Sequence, residues 1–284
     1  MMLTDNSYGL PRPRPAVMKS PYLDGVIDSV CCDLDATISQ SYGGSGLTWA
    51  NLIQNPADGL TRGSYDFHLG EGETASTFPT FNGTAGSMAA HWTTDGADYF
   101  RMKNITDTIS TKWHRTTGGT PFWVAVAFRS PPGIYTGTRC FWGNAGSVSN
   151  RGVSTFAVAG DTLSLVSANG STSTITSNMS SALSGSTDYL YLVSVDPSQT
   201  SNNIRVWLNA TTYAAFSMVF GASSTPSTDN FFIMATRSST TNGSSPMETG
   251  TRFYSFAMGN QFLNDTHAAA LFAHLRARHG RAYA

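Results

Sequence analysis

Few residues in this chain of 284 are suited to chemistry, and they lie far apart. The only glutamates are Glu71, Glu73 and Glu248. Retaining glycoside hydrolysis needs two carboxyl groups about 5 Å apart, one of them with a raised pKa. Glu71 and Glu73 stand in the Gly-rich run GEGET (70–74) with no aspartate between them, so no strand carries alternating acids there. Asp95 and Asp98 in DGADY (95–99) form a close acidic pair. Their spacing suits a turn in which carboxylates accept backbone hydrogen bonds better than it suits catalysis. The six histidines are scattered; His267 and His274 are seven apart, too far to share an ion as an i,i+4 pair does. GGSG (43–46) lacks the spacing of a nucleophile elbow, and neither a metalloprotease nor a phosphate-loop motif occurs. No catalytic residue and no metal ligand is assigned, and the chain is expected not to be an enzyme. No cofactor is expected either; Asp95, Asp98 and main-chain carbonyls offer a calcium ion only a thin shell.

Binding has better material. A sugar site needs an exposed aromatic face beside hydrogen-bonding groups. Trp142 precedes GNAGS, which contains Asn144, and Trp113 sits in TKWHRTTGG. Tyr135 lies in SPPGIYTGT. Trp113, Tyr135, Trp142 and Asn144 are the contact candidates, set against the alternative that such aromatics plug the edges of a core. Trp123 and Trp207 fall inside strands and are assigned to the core.

These residues need a frame, and the sequence describes one built from strands. FWVAVAF (122–128) puts Phe122, Val124, Val126 and Phe128 on one face and Trp123, Ala125 and Ala127 on the other. Both faces are apolar, as in a central strand. Thr155–Ala159 and Thr162–Ser167 read as strands around a Gly160-Asp161 turn. Asp188–Asp196, Asn203–Ala210, Asn230–Arg237 and Thr251–Gly259 follow at spacings of about 10–15 residues with Ser/Thr/Gly/Asn turns, which argues for a sandwich and against βαβ units. The one convincing helix comes last. Asn264 caps it, Ala268, Leu271, Phe272 and Leu275 form its apolar stripe, and Gly280 stops it.

Composition limits the partners. Charged residues are 12%, about half the usual share, and net charge is −1, so no global field attracts nucleic acid or an anionic membrane. No run approaches the ~20 apolar residues of a membrane span, and no secretory leader is read at the start. Cys31, Cys32 and Cys140 make no disulfide framework; buried free thiols are expected, with one bridge to Cys140 as the alternative. Residues 1–25 read as an extended arm, because PRPRP (Pro11, Arg12, Pro13, Arg14, Pro15) favours polyproline II, and residues 26–284 as one β-sandwich domain.

The order of these pieces resembles the concanavalin A-like lectin/glucanase superfamily, in particular its laminin-G-like jelly rolls. The resemblance rests on TTDGADYFRM (93–102), the strand Phe122–Arg129, the strand pair in Phe156–Val166, Tyr189–Asp196, Val206–Ala210, and Leu263–Gly280, where such domains close with a short helix. It covers roughly residues 80–280. Asp33–Gly59 is similar to the opening of such domains in structural proteins of phages and gene transfer agents. The resemblance implies an all-β, two-sheet antiparallel jelly-roll sandwich with a short C-terminal α-helix. It also implies sugar or calcium sites on rim loops or the concave face, while the paired-carboxylate signature of the superfamily's glucanases is missing here.

The resulting expectation is a virion structural protein: a surface jelly-roll subunit in a capsid decoration, fibre or spike, assembled in the bacterial cytoplasm. It would be a homo-oligomer, joined to other virion proteins by its arm and touching a host surface glycan. The alternatives are a polysaccharide hydrolase or depolymerase of the same fold, and a cytoplasmic carbohydrate-binding module.

Overall fold

The computed structural model describes residues 20–71, 75–133, 135–145, 149–158, 160–237 and 243–283. Two eight-stranded sheets stack face to face, and their ladders are antiparallel. One sheet runs Ala214–Phe216, Ile204–Leu208, Asp188–Val195, Phe122–Arg129, Arg252–Gly259, His91–Thr93, Thr80–Asn82, with Val30–Asp35 also paired to Arg252–Gly259. The other runs Ser173–Thr176, Leu163–Asn169, Arg151–Ala157, Arg139–Gly143, Phe232–Ile233, Phe100–Met102, Phe67–Leu69, Thr48–Trp49. The fold is the expected jelly-roll sandwich with one C-terminal helix.

The two-sided strand pattern has a direct cause. Phe122, Val124, Val126 and Phe128 enter the core between the sheets. Trp123, Ala125 and Ala127 enter a second core on the opposite face, roofed by the terminal helix, Asp265–His279. That helix buries Ala268, Leu271, Phe272 and Leu275 there, and each large side chain contributes about 1.5–3 kcal/mol. Its ends are set as the sequence implied. The Asn264 side chain accepts from the His267 backbone N–H while the His267 ring accepts from the Asn264 N–H, and Gly280 takes a left-handed φ of 59°.

Polar bonds lock the helix's last turn to Val30–Asp35. On that strand Leu34 faces the inter-sheet core while Asp33 and Asp35 point the other way. Arg278 forks across both carboxylates, with Nη1 2.9 Å from Asp33 Oδ1 and 3.0 Å from Asp35 Oδ2. His279 Nε2 lies 3.0 Å from the same Asp35 oxygen, and its Nδ1 lies 2.5 Å from the Tyr283 hydroxyl. Burial alone would raise the Asp35 pKa. The neighbouring His279 and Arg278 charges, with hydrogen bonds from His279 and Thr37, instead hold it well below the usual carboxylate range. Leu23 is buried in the second core, and its N–H donates to Asp33 Oδ2 at 3.2 Å, so residues 20–25, read as arm, are part of the packed structure. The rest of the arm, with Pro11, Arg12, Pro13, Arg14 and Pro15, lies outside the described residues.

Two local expectations are refined. The expected Gly160-Asp161 turn is shifted: Asp161 N–H donates to Val158 O at 2.9 Å and Val158 N–H to Thr162 O at 3.1 Å, so Asp161 ends the turn, and Gly160 and Asp161 take positive φ, 94° and 61°. The single strand expected over 230–237 is broken into Phe232–Ile233 and Thr236–Arg237. Between them Met234 takes φ 68°, outside the strand region, so that its N–H reaches Phe141 O and its carbonyl accepts from Met247. All three cysteines are buried and free; the bridge to Cys140 does not form.

Candidate functional site

A concave pocket of about 330 Å³ opens at the rim of the sandwich, lined by Ile105, Thr106, Asp107, Thr111, Pro226, Ser227 and Thr228. One wall begins where the strand Phe100–Met102 ends. Asn104 closes a turn by accepting from Thr106 N–H at 3.0 Å, Asp107 takes a positive φ of 62°, and Ile109–Thr111 form a 3-10 turn. The facing wall is tied to it by Ser227 N–H donating to Thr111 O at 2.7 Å. Ser227 Oγ also accepts from Asp229 N–H at 3.1 Å and donates to Arg151 O at 2.5 Å.

The lining has a definite chemistry. The exposed Thr106 and Thr228 hydroxyls can donate and accept, the exposed Asp107 carboxylate only accepts, and Ile105 and Pro226 add apolar surface, while the buried Thr111 hydroxyl donates to Thr108 O at 2.7 Å and that of Ser227 to Arg151 O. That combination matches a ring with several hydroxyls and one C–H face.

Three of the four contact candidates converge beneath this pocket, but all are interior. Trp113 stacks on Phe122 with centroids 4.3 Å apart and meets Trp142 edge-on at 5.6 Å. Asn144 Nδ2 donates to Ser110 O at 3.3 Å and its Oδ1 accepts from Val153 N–H at 2.9 Å. Trp113, Trp142 and Asn144 are 0% exposed. Their expected role as exposed ligand contacts is therefore corrected: the rings fill the end of the core, and the amide is spent on backbone groups. What they do is hold the pocket's floor, since Ser110 and Thr111 belong to the turn that Asn144 pins. His114 supports the other wall, with Nε2 3.0 Å from Thr225 O. Burial, then the charges of Arg151 and Arg115, push its pKa down to about 4, so it is neutral near pH 7. Tyr135 lies elsewhere: it is 3% exposed, packs 6.3 Å from Phe141, and its N–H donates to Asp161 Oδ1 at 2.7 Å. Its role as a ligand contact is corrected for the same reason.

Sequence reasoning missed the lining itself. NITDT (104–108) and TPSTD (225–229) are polar turns of a kind found throughout this chain, and only the fold brings them together.

The acidic residues sort clearly. Asp98 Oδ2 accepts from Asp95 N–H at 3.0 Å and Asp95 Oδ1 from Ala97 N–H at 2.9 Å, the turn geometry expected. Burial, helped by the neighbouring Asp95 charge, nevertheless raises the Asp98 pKa to about 6. Glu248 is occupied, accepting from Arg139 Nε at 2.9 Å and Thr136 Oγ1 at 3.0 Å. Glu73 lies outside the described residues. His274 Nε2 lies 2.9 Å from Arg278 Nη2 and His267 serves the helix cap. Among the described residues no group of three metal-ligating side chains comes together, and no helix is long and apolar enough to cross a membrane.

No family model and no curated relative matches the chain. Solved structures do. A Trypanosoma rangeli sialidase in complex with sialic acid aligns with a TM-score of 0.57 and 9% identity over 89% of this chain and 34% of that one. A mutant of the same sialidase displaying trans-sialidase activity gives 0.53 and 10% over 90% and 34%. The binding domain of botulinum neurotoxin DC in complex with SialylT gives 0.57 and 8% over 88% and 52%. The chain thus spans about a third of the sialidases and half of the toxin binding domain. The expectation that the chain is not an enzyme is corrected here, because enzymes stand among the proteins that share its fold. At these identities the likeness is one of fold, a jelly-roll sandwich found both in sialidases and in a toxin binding domain.

Proposed function

We propose that the chain is a glycan-contacting jelly-roll module that serves as a surface subunit of a phage or phage-like particle. The observation that carries the glycan part is the rim pocket: the exposed Thr106 and Thr228 hydroxyls, the Asp107 carboxylate and two apolar side chains around about 330 Å³. Neighbours solved with sialic acid and with SialylT support the same reading. The particle part is supported by the PRPRP segment, the low-charge Ser/Thr-rich composition, and the likeness of Asp33–Gly59 to particle proteins. Repeated copies on a particle would offset weak affinity at each pocket.

Labelled full-length chain on a glycan array tests the contact. Asp107→Ala is expected to weaken the best ligand about tenfold or more, as loss of a hydrogen bond to a charged group does. Unchanged binding by this variant would remove the pocket from the account. For the particle, the chain should form a stoichiometric band of purified particles, and removing residues 1–19 should abolish attachment while leaving the fold intact.

A second reading, a glycan hydrolase, is favoured by one observation: a buried Asp98 with its pKa raised to about 6 beside a second carboxyl, as an acid/base pair requires. Release of reducing sugar by the wild type that Asp98→Asn abolishes would establish it, whereas release unaffected by Asp98→Asn would exclude this pair.

A further inference from the structure

At the other end of the central strand the sheet's helix-side face gathers an excess of positive charge. Arg129, the last residue of Phe122–Arg129, lies directly between Asp188 and Arg252 in the ladder. Like charges directly opposite each other on a sheet are destabilising. Arg129 Nη1 pairs with Asp188 Oδ2 at 3.1 Å. Arg281 reaches the same oxygen at 4.0 Å, with its guanidinium 4.1 Å from the Tyr254 ring centroid. The Tyr254 hydroxyl takes the other Asp188 oxygen at 2.8 Å. Arg252 is exposed, and its guanidinium makes no hydrogen bond or ion pair among the described residues. Two guanidiniums therefore share one carboxylate while a third, that of Arg252, stands opposite Arg129 in the ladder without a carboxylate of its own, in a chain whose net charge is −1.

Specific backbone features hold them together. A ladder irregularity between Phe253 and Ser255 inserts Tyr254 as an extra residue, turning its ring to the helix side where Arg252 also points. The left-handed Gly280 ends the helix so that Arg281 folds back over that ring. His91 borders the group, its ring 6.1 Å from that of Tyr254, and burial together with Arg252 and Arg281 pushes its pKa down. It adds a neutral hydrogen-bonding ring to the rim.

We propose that Arg129, Arg252 and Arg281 form a second binding site, which takes the carboxylate of an acidic sugar. Guanidinium forks match a planar carboxylate with paired hydrogen bonds. An anion here would relieve the Arg129–Arg252 opposition that Asp188 only partly offsets. A nucleic acid fits less well, because the cluster is compact and no basic stripe continues from it; Lys103 and Lys112 flank the pocket at the opposite end of the sandwich. Attraction to an anion stands on this geometry alone, whereas the anion's being carried on a sugar rests on the glycan reading above.

Nuclear magnetic resonance titration of the full chain with N-acetylneuraminic acid, glucuronic acid and glucose tests the proposal. One or both acids should bind and glucose should not shift the cluster, and which acid binds tells a sialic from a uronic ligand. Arg252→Ala should weaken the acid at least tenfold, Arg252→Lys should restore part of it, and Asp107→Ala should leave it unchanged. Equal response to glucose, or acid binding indifferent to Arg252→Ala, would overturn the site. Arg252-dependent binding of acetate with neither sugar acid, or tighter Arg252-dependent binding of a short single-stranded DNA, would overturn the sugar assignment. Loss of neutral-glycan binding in Asp107→Ala bears on the rim pocket only, so the two readings fail separately.

Discussion

Replacing Arg278 by alanine removes the guanidinium that bridges Asp33 and Asp35. Both carboxylates are fully buried and the arginine side chain is 6% exposed. Breaking a buried pair by removing one partner costs about 3–5 kcal/mol, because a buried charge is left uncompensated. Here two carboxylates lose their shared cation, while Asp35 keeps the His279 ring and its Thr37 hydrogen bonds and Asp33 keeps the Leu23 N–H, which places the cost within that range. With a urea dependence of about 3 kcal/mol per molar, the unfolding midpoint should fall by roughly 1–1.7 M. Tryptophan fluorescence and circular dichroism would follow it together. Arg278→Met, which keeps most of the volume, should not rescue the loss. In an Asp33→Asn/Asp35→Asn background the same arginine change should cost much less, since the charges it answers are gone. Equal cost in both backgrounds would refute the reasoning and return the helix's stability to its apolar stripe. The acid limb gives an independent sign. Asp35 has a folded pKa below its ordinary value of 3.8, so its contribution is fully present above that value and is lost as pH falls below it. Without Arg278 that depression weakens, and acid unfolding should begin at a higher pH.

Asp98 titrates in the opposite sense: its folded pKa of about 6 lies above the ordinary 3.8, so its contribution to stability declines as pH rises from about 4 to 6 and stays low above. Asp98→Asn keeps an acceptor for Asp95 N–H and should raise the unfolding midpoint at pH 8 but not at pH 3, read by thermal melts at both. The three cysteines are buried, with burial pushing Cys31 up to about 12 and Cys32 and Cys140 higher still. A chromogenic disulfide reagent should therefore find no reactive thiol in native protein at pH 8 and all three in guanidinium; rapid native reaction would contradict the packing.

Periodicity made the frame legible. The two apolar faces of Phe122–Arg129 announced a strand covered on both sides, and the 3.6-residue stripe of Leu271, Phe272 and Leu275 announced the cover. The helix ends read well because their chemistry is local: Asn264 at the start and Gly280 at the stop. The sites did not read, for two reasons. A tryptophan in a short loop at the end of a sheet can swing into the core or out of it with the same neighbours in sequence, and Trp113 and Trp142 went in. The functional groups meet across long separations: Asp33 and Arg278 are 245 residues apart, and the pocket joins residues near 107 to residues near 227.

What the packing leaves uncovered decides where recognition can occur. The helix roofs the Trp123–Ala127 stretch of its sheet, and the Arg129 end of that face stays partly open. The opposite sheet is crossed on its outer face by the register row Thr48, His68, Arg101, Phe232, Gly143, Ser154, Val166, Ile175. Phe232 in the middle of that row is buried with Tyr99 and Ala235, and Ser154 is bonded to Ala145 and Thr236, so the row is closed at its centre. The two proposed sites lie toward opposite ends of the central strand, which spans seven residue steps or about 23 Å. One end offers hydroxyls and a carboxylate, the other three arginines around the single carboxylate of Asp188. A branched or acid-terminated glycan could span both, and a particle that repeats the subunit would multiply each. Binding of a ligand bearing both a neutral and an acidic sugar should then exceed either alone, and losing that gain in Arg252→Ala or Asp107→Ala separately would show that the two ends act on one molecule.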